Sequence, residues 1–281
     1  MALGTGDIAE LLNDQVSSLL VQPLEAQSVV LSSGVRIFDS AGVLRIPKLT
    51  GSSAVGFVAE SGEIPSTHAT SFDEVVLMPT ERTSIKVIER FSRESVRQSV
   101  IGLDAVLKAR LVKVVGDALD SALLAGDGAD DSITGILEQA DVESGEFDAA
   151  DPDSILDGIA TLNANEVTPN RIFLSGADYA VMRKIKESTE SKRYLLQPDP
   201  SREAGTMLFS VPVVVTNKLP AGTAIVADTS NIAVVRDTAP SITVLAERYA
   251  EFDELGLRVT TRYDLGLLHP EAVAVLTATE S

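Results

Sequence analysis

The chain has no cysteine and two histidines, His68 and His269, so its means of making a nucleophile or a metal centre are few. Thiolate catalysis, disulfides and cysteine-ligated zinc or iron–sulfur sites are excluded outright. Neither histidine sits in an HExxH or HxH spacing, so a histidine-based metal site would need one from each end of the chain. His68 reads as a solvated residue in a hairpin tip, and His269, just before Pro270, as a turn residue bonded to backbone. Phosphate-cradling motifs are also missing: there is no GxxxxGK[ST], and Gly126-Asp127-Gly128 follows a helix, where a dinucleotide loop must follow a strand. Ser175 in LSGAD lacks the N-terminal glycine of a nucleophile elbow. Asp127–Ser132 (DGADDS) lacks the alternating ligands of an EF-hand. With no tryptophan, four tyrosines and eight phenylalanines, aromatic platforms for sugars or bases are scarce. The residues give no catalytic, cofactor-binding or metal site, and the expectation is a protein that is not an enzyme and needs no cofactor. The weakest alternative is a cytoplasmic hydrolase assembled from a distant Ser, His and Asp.

The chain has 281 residues, 44% of them hydrophobic and 23% charged, which suits a folded protein of one large or two modest domains. Its net charge of −18 gives no general basic footprint for phosphates or anionic lipid. Between Val114 and Asn170 there is no Lys, Arg or His, while acidic residues recur from Asp117 to Glu166; the segment reads as a solvated acidic face. The longest apolar run, Val211 to Val215, contains Pro212 and is far short of the ~20 residues of a membrane span. The first residues carry Asp7, Glu10 and Asp14 where a targeting peptide would be basic, so a cytoplasmic start is expected.

Positions Ile8, Leu11, Leu12, Val16, Leu19 and Leu20 have helical spacing and predict a short amphipathic helix over 7–20. From 21 to 46 the apolar pieces are short and interrupted, as in an extended arm. Residues 53–60 (SAVGFVAE) and 72–79 (FDEVVLMP), joined by turn chemistry around Gly62 and Pro65, predict a long hairpin, with the returning strand extended towards 91 by Ile85 and Val87. A two-stranded ribbon is too small to be stable alone and needs a second body to lie on. The clearest helix spans 102–125, roughly 35 Å long, and stops at Gly126. Beyond it the pattern predicts helices at 153–162 and within 176–186, and strands at 171–175, 208–216, 223–227, 232–235, 242–245, 255–263 and 272–276. The class is α+β.

The order of these parts resembles the major capsid proteins of tailed bacteriophages with the HK97 fold. LLAGDGADDSITGIL at 123–137 is similar to the end of that family's spine helix. RIFLSGADYAVMRKIKESTESKRYLL at 171–196 and LFSVPVVVTNKLPAGTAIVAD at 208–228 resemble its axial domain. RVTTRYDLGLLHPEAVAVL at 258–276 resembles the last strands of its peripheral domain. The resemblance implies an N-terminal arm over 1–46, an extended hairpin loop over 47–91, a peripheral domain from 92–150 and 251–281 with the spine helix, and an axial domain over 151–250. It implies many copies forming hexamers and pentamers of an icosahedral shell in the virion, around packaged double-stranded DNA bound without sequence specificity. Scaffold, portal and decoration proteins are the expected partners, with no membrane. An encapsulin-like nanocompartment shell is the alternative within the same fold.

Some members ligate themselves through a loop lysine, an asparagine and a glutamate. Here Leu49 to Ile85 holds no lysine, and the matching positions are Asp253 and Thr260, so noncovalent contacts are expected. Candidates for those contacts are Val55, Phe57, Val75 and Leu77 for apolar burial, and Glu60, Glu63, Arg82, Lys86 and Arg90 for ion pairs, with Asp253 and Arg262 added by the resemblance. Because Met1 stands directly before the arm, a separate scaffold protein is expected; the alternative is a chain that starts at the mature end, after a removed scaffold domain, with an added Met.

Overall fold

The structure is a computed structural model that describes residues 22–50, 57–58, 71–92, 103–186, 207–237, 241–245 and 248–278. The amphipathic segment 7–20 lies outside them. The chain begins with a short helix, α1 (Gln22–Gln27), then β1 (Arg36–Asp39), β2 (Leu44–Thr50), β3 (Ser71–Leu77) and β4 (Ile85–Ser92). The long helix α2 (Leu103–Ala125) precedes β5 (Glu143–Glu146), α3 (Asp153–Ala164), β6 (Arg171–Leu174) and α4 (Gly176–Met182). The remainder is strands: β7 (Met207–Leu208), β8 (Val211–Val215), β9 (Thr223–Ala227), β10 (Ile232–Arg236), β11 (Ser241–Leu245), β12 (Glu254–Thr261), β13 (Tyr263–Leu267) and β14 (Val273–Thr277).

Helix α2 buries Leu111, Val112, Val115, Leu119, Leu123 and Leu124, a stripe at helical spacing that follows from the sequence period. It stops at Gly126 for a steric reason. A Cβ there would lie 2.2 Å from the Ile133 carbonyl oxygen, because the chain folds straight back and Gly135 donates its N–H to the Gly126 carbonyl at 2.8 Å.

A six-stranded sheet runs in the order β5-β14-β9-β6-β8-β7. Its central strands are buried on both faces, which explains their unbroken apolar runs such as TAIVA at 223–227. Alternate side chains serve different cores. Phe173, Ile225, Ala227, Val273 and Val275 face the cluster that contains the α2 stripe, and Ile172, Leu174, Ala224, Val226, Ala274 and Leu276 face Ile155 and Leu162 of α3 and Met182 of α4. Two three-stranded sheets, β1-β10-β13 and β11-β12-β4, complete the body, and β2 pairs with β3 as a separate ribbon.

Several expectations change. The described outgoing strand of the ribbon is 44–50, in register Leu44↔Leu77 to Thr50↔Ser71; the predicted strand 53–60 lies outside the described residues apart from Phe57 and Val58. The returning strand does not continue to 91. It stops at Met78, whose backbone is left-handed (φ 55), and after Pro79 the chain re-enters a different sheet as β4 against β12. The predicted strand 208–216 is instead a tight β7–β8 hairpin turning at Phe209 and Ser210 (φ 49 and 68). The predicted 255–263 strand changes sheet at Arg262, with β12 pairing β4 and β13 pairing β10. Strands β5 and β14 lie in the six-stranded sheet with β6, β8 and β9, while β10 joins β13.

Candidate assembly interface

The part of the chain best shaped to meet another molecule is the β2–β3 ribbon, and its own residues define how it is mounted. On its inward face Leu44, Ile46, Val75 and Leu77 alternate with outward residues. The root of that face seals a small core: Leu77 and Met78 pack with Ala233 and Val235 of β10, and Phe38, Leu44, Ile46, Val75 and Leu268 close around them. The fit at β13 is tight. A Cβ on Gly266 would lie 2.4 Å from Leu77 Cδ2, so only glycine lets the ribbon approach this closely.

A polar clamp reinforces the root. Asp264 is 1% exposed in the otherwise apolar β13; it accepts the Met78 N–H at 2.6 Å and pairs with Arg82 at 3.0 Å. The Arg82 guanidinium also donates to the Ser132 carbonyl. Arg262 donates to the carbonyls of Arg82, Pro79 and Thr80 at 3.0, 2.7 and 3.1 Å. The bend from β3 to β4, which lacks ladder partners of its own, is thus satisfied by two arginines and a buried carboxylate.

The N-terminal segment is tied down by two further groups. Asp120, on the buried side of α2, accepts from Ser28 Oγ (2.6 Å), Val29 N–H (2.9 Å) and Val30 N–H (3.2 Å). Arg236 at the end of β10 donates to both carboxylate oxygens of Asp39 at 2.5 and 2.9 Å and to Glu25. The hydrogen bond from Arg236 holds the Asp39 carboxyl below its ordinary range, and the same bond raises Arg236. Beside them, burial pushes the Tyr263 phenol up, and its hydroxyl has no hydrogen-bond partner among the described residues.

These placements sort the contact candidates. Leu77 is buried within its own subunit, because β3 lies directly on β10 and β13. Arg82 and Arg262 are likewise engaged at the clamp, because the bend at 78–84 leaves carbonyls that need donors. Val75 is half-buried at the edge of the small core. Phe57 is fully exposed, and Lys86 is exposed. Arg90 lies 3.8 Å from Glu254 and over the Tyr249 ring at 5.3 Å, and remains largely exposed. Asp253 is exposed, in a left-handed turn (φ 52) just before β12. Val55, Glu60 and Glu63 lie outside the described residues.

The acidic segment is mostly solvated, with Asp127, Asp130, Asp131, Glu138, Asp141, Asp148, Asp151, Asp153 and Asp157 exposed. Asp120 is the exception. Its buried role was missed, although the position lies on the apolar stripe between Leu119 and Leu123. Asp264 gave a similar signal as the one charge in YDLGL. Among the described residues no group of three or more His, Asp or Glu is placed to hold a metal ion, and no helix is long and apolar enough to cross a membrane. His269 lies 3.3 Å from Glu271 on the surface.

Comparison with solved structures returns the same architecture. The chain is similar to the capsid subunit of an empty GTA particle, at TM-score 0.70 and 16% identity, with 90% of each chain covered. It is similar to a protein of Mycobacterium phage Adephagia, at TM-score 0.72, 16% identity and 90% and 91% coverage. A third similar structure, from Mycobacterium phage Ogopogo, gives 0.68, 19%, and 90% and 92%. The fold is therefore that of HK97-like capsid subunits. No curated protein resembles the chain closely enough in sequence to count as a relative. The phage capsid family, a family of structural proteins, matches residues 9–278. With nearly the whole chain matched and the ribbon, spine helix and sheets in place, the protein belongs to the phage capsid family.

Proposed function

We propose that this chain is a major capsid protein, many copies of which assemble in the host cytoplasm into the hexamers and pentamers of an icosahedral head enclosing packaged double-stranded DNA. Scaffold, portal and, on some heads, decoration proteins are its partners. The observation that carries the reading is the ribbon: its root is clamped to the body through Asp264, Arg82 and Arg262, while Phe57 stands in full contact with solvent. A large apolar side chain in full contact with solvent gains stability when a neighbour buries it, by about 2 kcal/mol. Exposed ion pairs of Lys86 and Arg90 with a neighbour add ~0–1 kcal/mol each, so charge sets register more than strength.

The shell is held by noncovalent contacts, since Leu49 to Ile85 offers no lysine and Asp253 carries no amide to lose. Electron microscopy of the expressed protein, alone and with its scaffold partner, tests the assembly; closed shells are expected, and a particle with the mass of one subunit under both conditions overturns the reading. Denaturing gels of purified heads should show this subunit at its monomer mass without a ladder of covalent multimers, and nuclease-protected DNA inside heads separates a virion from a cargo compartment.

A further inference from the structure

The β1-β10-β13 sheet ends on β13, whose outer edge carries no strand among the described residues. The ladder shows which groups that edge offers. The Leu268 N–H donates to the Asn231 carbonyl at 2.8 Å and the Asp237 N–H to the Arg262 carbonyl at 3.0 Å, so the even-numbered residues turn their backbone groups towards β10. Leu265 and Leu267 therefore turn theirs to the open edge. The Leu265 N–H is taken by the Asp264 carboxylate at 2.9 Å. The Leu265 C=O and the N–H and C=O of Leu267 have no partner among the described residues, although the two leucines are only 3% and 6% exposed. Backbone groups so placed call for a hydrogen-bonding partner.

A slot of about 370 Å³ runs along this edge, beside Asp264–Leu267. It is open because the chain leaves β3 at Met78 and rejoins a sheet only at Ile85, against β12. One wall is apolar, with Val75, Val76 and Leu77, and the other is the loop 134–140. That loop lies in an acidic stretch, where Asp130, Asp131, Glu138 and Asp141 are exposed and no base occurs. The arginine that reaches the slot, Arg82, is committed to Asp264 and the Ser132 carbonyl.

We infer that β13 receives an extended segment of a different protein as a fourth strand, in which aliphatic residues alternate with lysine or arginine. At about 3.3 Å per residue, the slot takes a strand of roughly four residues. Backbone bonds to Leu265 and Leu267 hold it, its aliphatic side chains cover Val75 and Val76, and its cations meet Glu138. The chain's own strands of this composition, RIPKL at 45–49 and IKVIER at 85–90, are already paired within β2 and β4, so the occupant is assigned to another protein. The slot belongs to a single subunit, and the inference goes beyond the shell function without resting on it.

The test uses the full chain and a fluorescein-labelled pentapeptide of alternating lysine and valine. Saturable binding is expected by fluorescence anisotropy, with amide exchange over 263–268 slowed when the peptide is bound. A pentapeptide with glutamate in place of lysine should not bind. Methylating the valine backbone nitrogens removes the strand's donors and should weaken binding about tenfold. Glu138→Lys should weaken it about tenfold as well, at an exposed position that the fold does not need. Ala140→Trp, which overhangs the slot without touching its charges, should block the peptide. Absence of saturable binding overturns the inference, and so does binding indifferent to backbone methylation or exchange over 263–268 that the peptide leaves unchanged. Protection of 263–268 that appears when the chain assembles by itself, with the peptide then excluded, would assign the slot to a second copy and overturn the choice of a different protein. None of these outcomes touches the shell function.

Discussion

At the scale of single residues, three polar groups each make a separate prediction: Asp120 and Tyr263, which are buried, and Asp39, which is exposed. Asp120 accepts three bonds from the segment that follows α1, with no cation beside it among the described residues. Asp120→Ala would strand two backbone N–H groups and a serine hydroxyl, and thermal or denaturant unfolding should show a loss of about 3 kcal/mol. Tyr263→Phe should act in the opposite sense, since the phenol is buried with an unpartnered hydroxyl; a gain of up to about 1 kcal/mol at neutral pH is expected. The raised phenol also fixes a sign. The folded form resists ionisation that the unfolded chain undergoes from about pH 10, so stability falls as pH rises above that value, and Tyr263→Phe should flatten the decline. On the acid side, the lowered Asp39 carboxyl contributes stability that is fully present above its ordinary 3.8 and is lost as pH falls through the depressed folded value. Denaturant titrations between neutral and strongly acidic pH should show that slope reduced in Arg236→Gln.

At the scale of elements, the ribbon root decides how the arm is aimed. Gly266 permits the contact of β13 with Leu77, so Gly266→Val should force the two apart at a cost of about 1–3 kcal/mol. The specific readout is amide exchange: the N–H groups of 71–78 should exchange faster, while those of β9 and β14 in the six-stranded sheet stay protected. The elements also show what sequence patterns can and cannot convey. The α2 stripe and the apolar runs of β6, β9 and β14 were legible because period and burial coincide there. RIPKLT, with its Pro47, reads as less strand-like than SAVGFVAE, yet residues 44–50 pair with 71–77 in the ribbon. That proline is tolerated because β2 has a free edge among the described residues. The breaks at Met78, Phe209-Ser210 and Arg262 were illegible: each is a change of partner or a left-handed turn in residues that do not advertise one.

At the scale of the whole molecule, charge is distributed unevenly. Exposed carboxylates recur from Asp127 to Asp157, and at the entry to α3 a concavity is ringed by Glu146, Asp148, Asp151, Asp153 and Asp157. Packaged DNA would be repelled by such a face, so in the proposed head it should point away from the lumen. Carboxylate labelling of intact, filled heads should therefore modify these residues from outside; labelling seen only after the heads are broken would show the opposite orientation.

Sequence alone determined the absence of thiol chemistry, the acidic character, the spine helix, the presence of an arm and the family, because these depend on composition, local period and the order of parts along the chain. The tertiary structure decided which strand completes the ribbon, which sheet each strand joins, and which charges serve the subunit's own interior. Leu77, Arg82 and Arg262, contact candidates on sequence grounds, also serve the mount of the ribbon in their own subunit. The reason is physical: whether an apolar or charged side chain is free depends on what residues nearly two hundred positions away bring to it, and in the pairing of Met78 with Asp264 that contact exists only after folding.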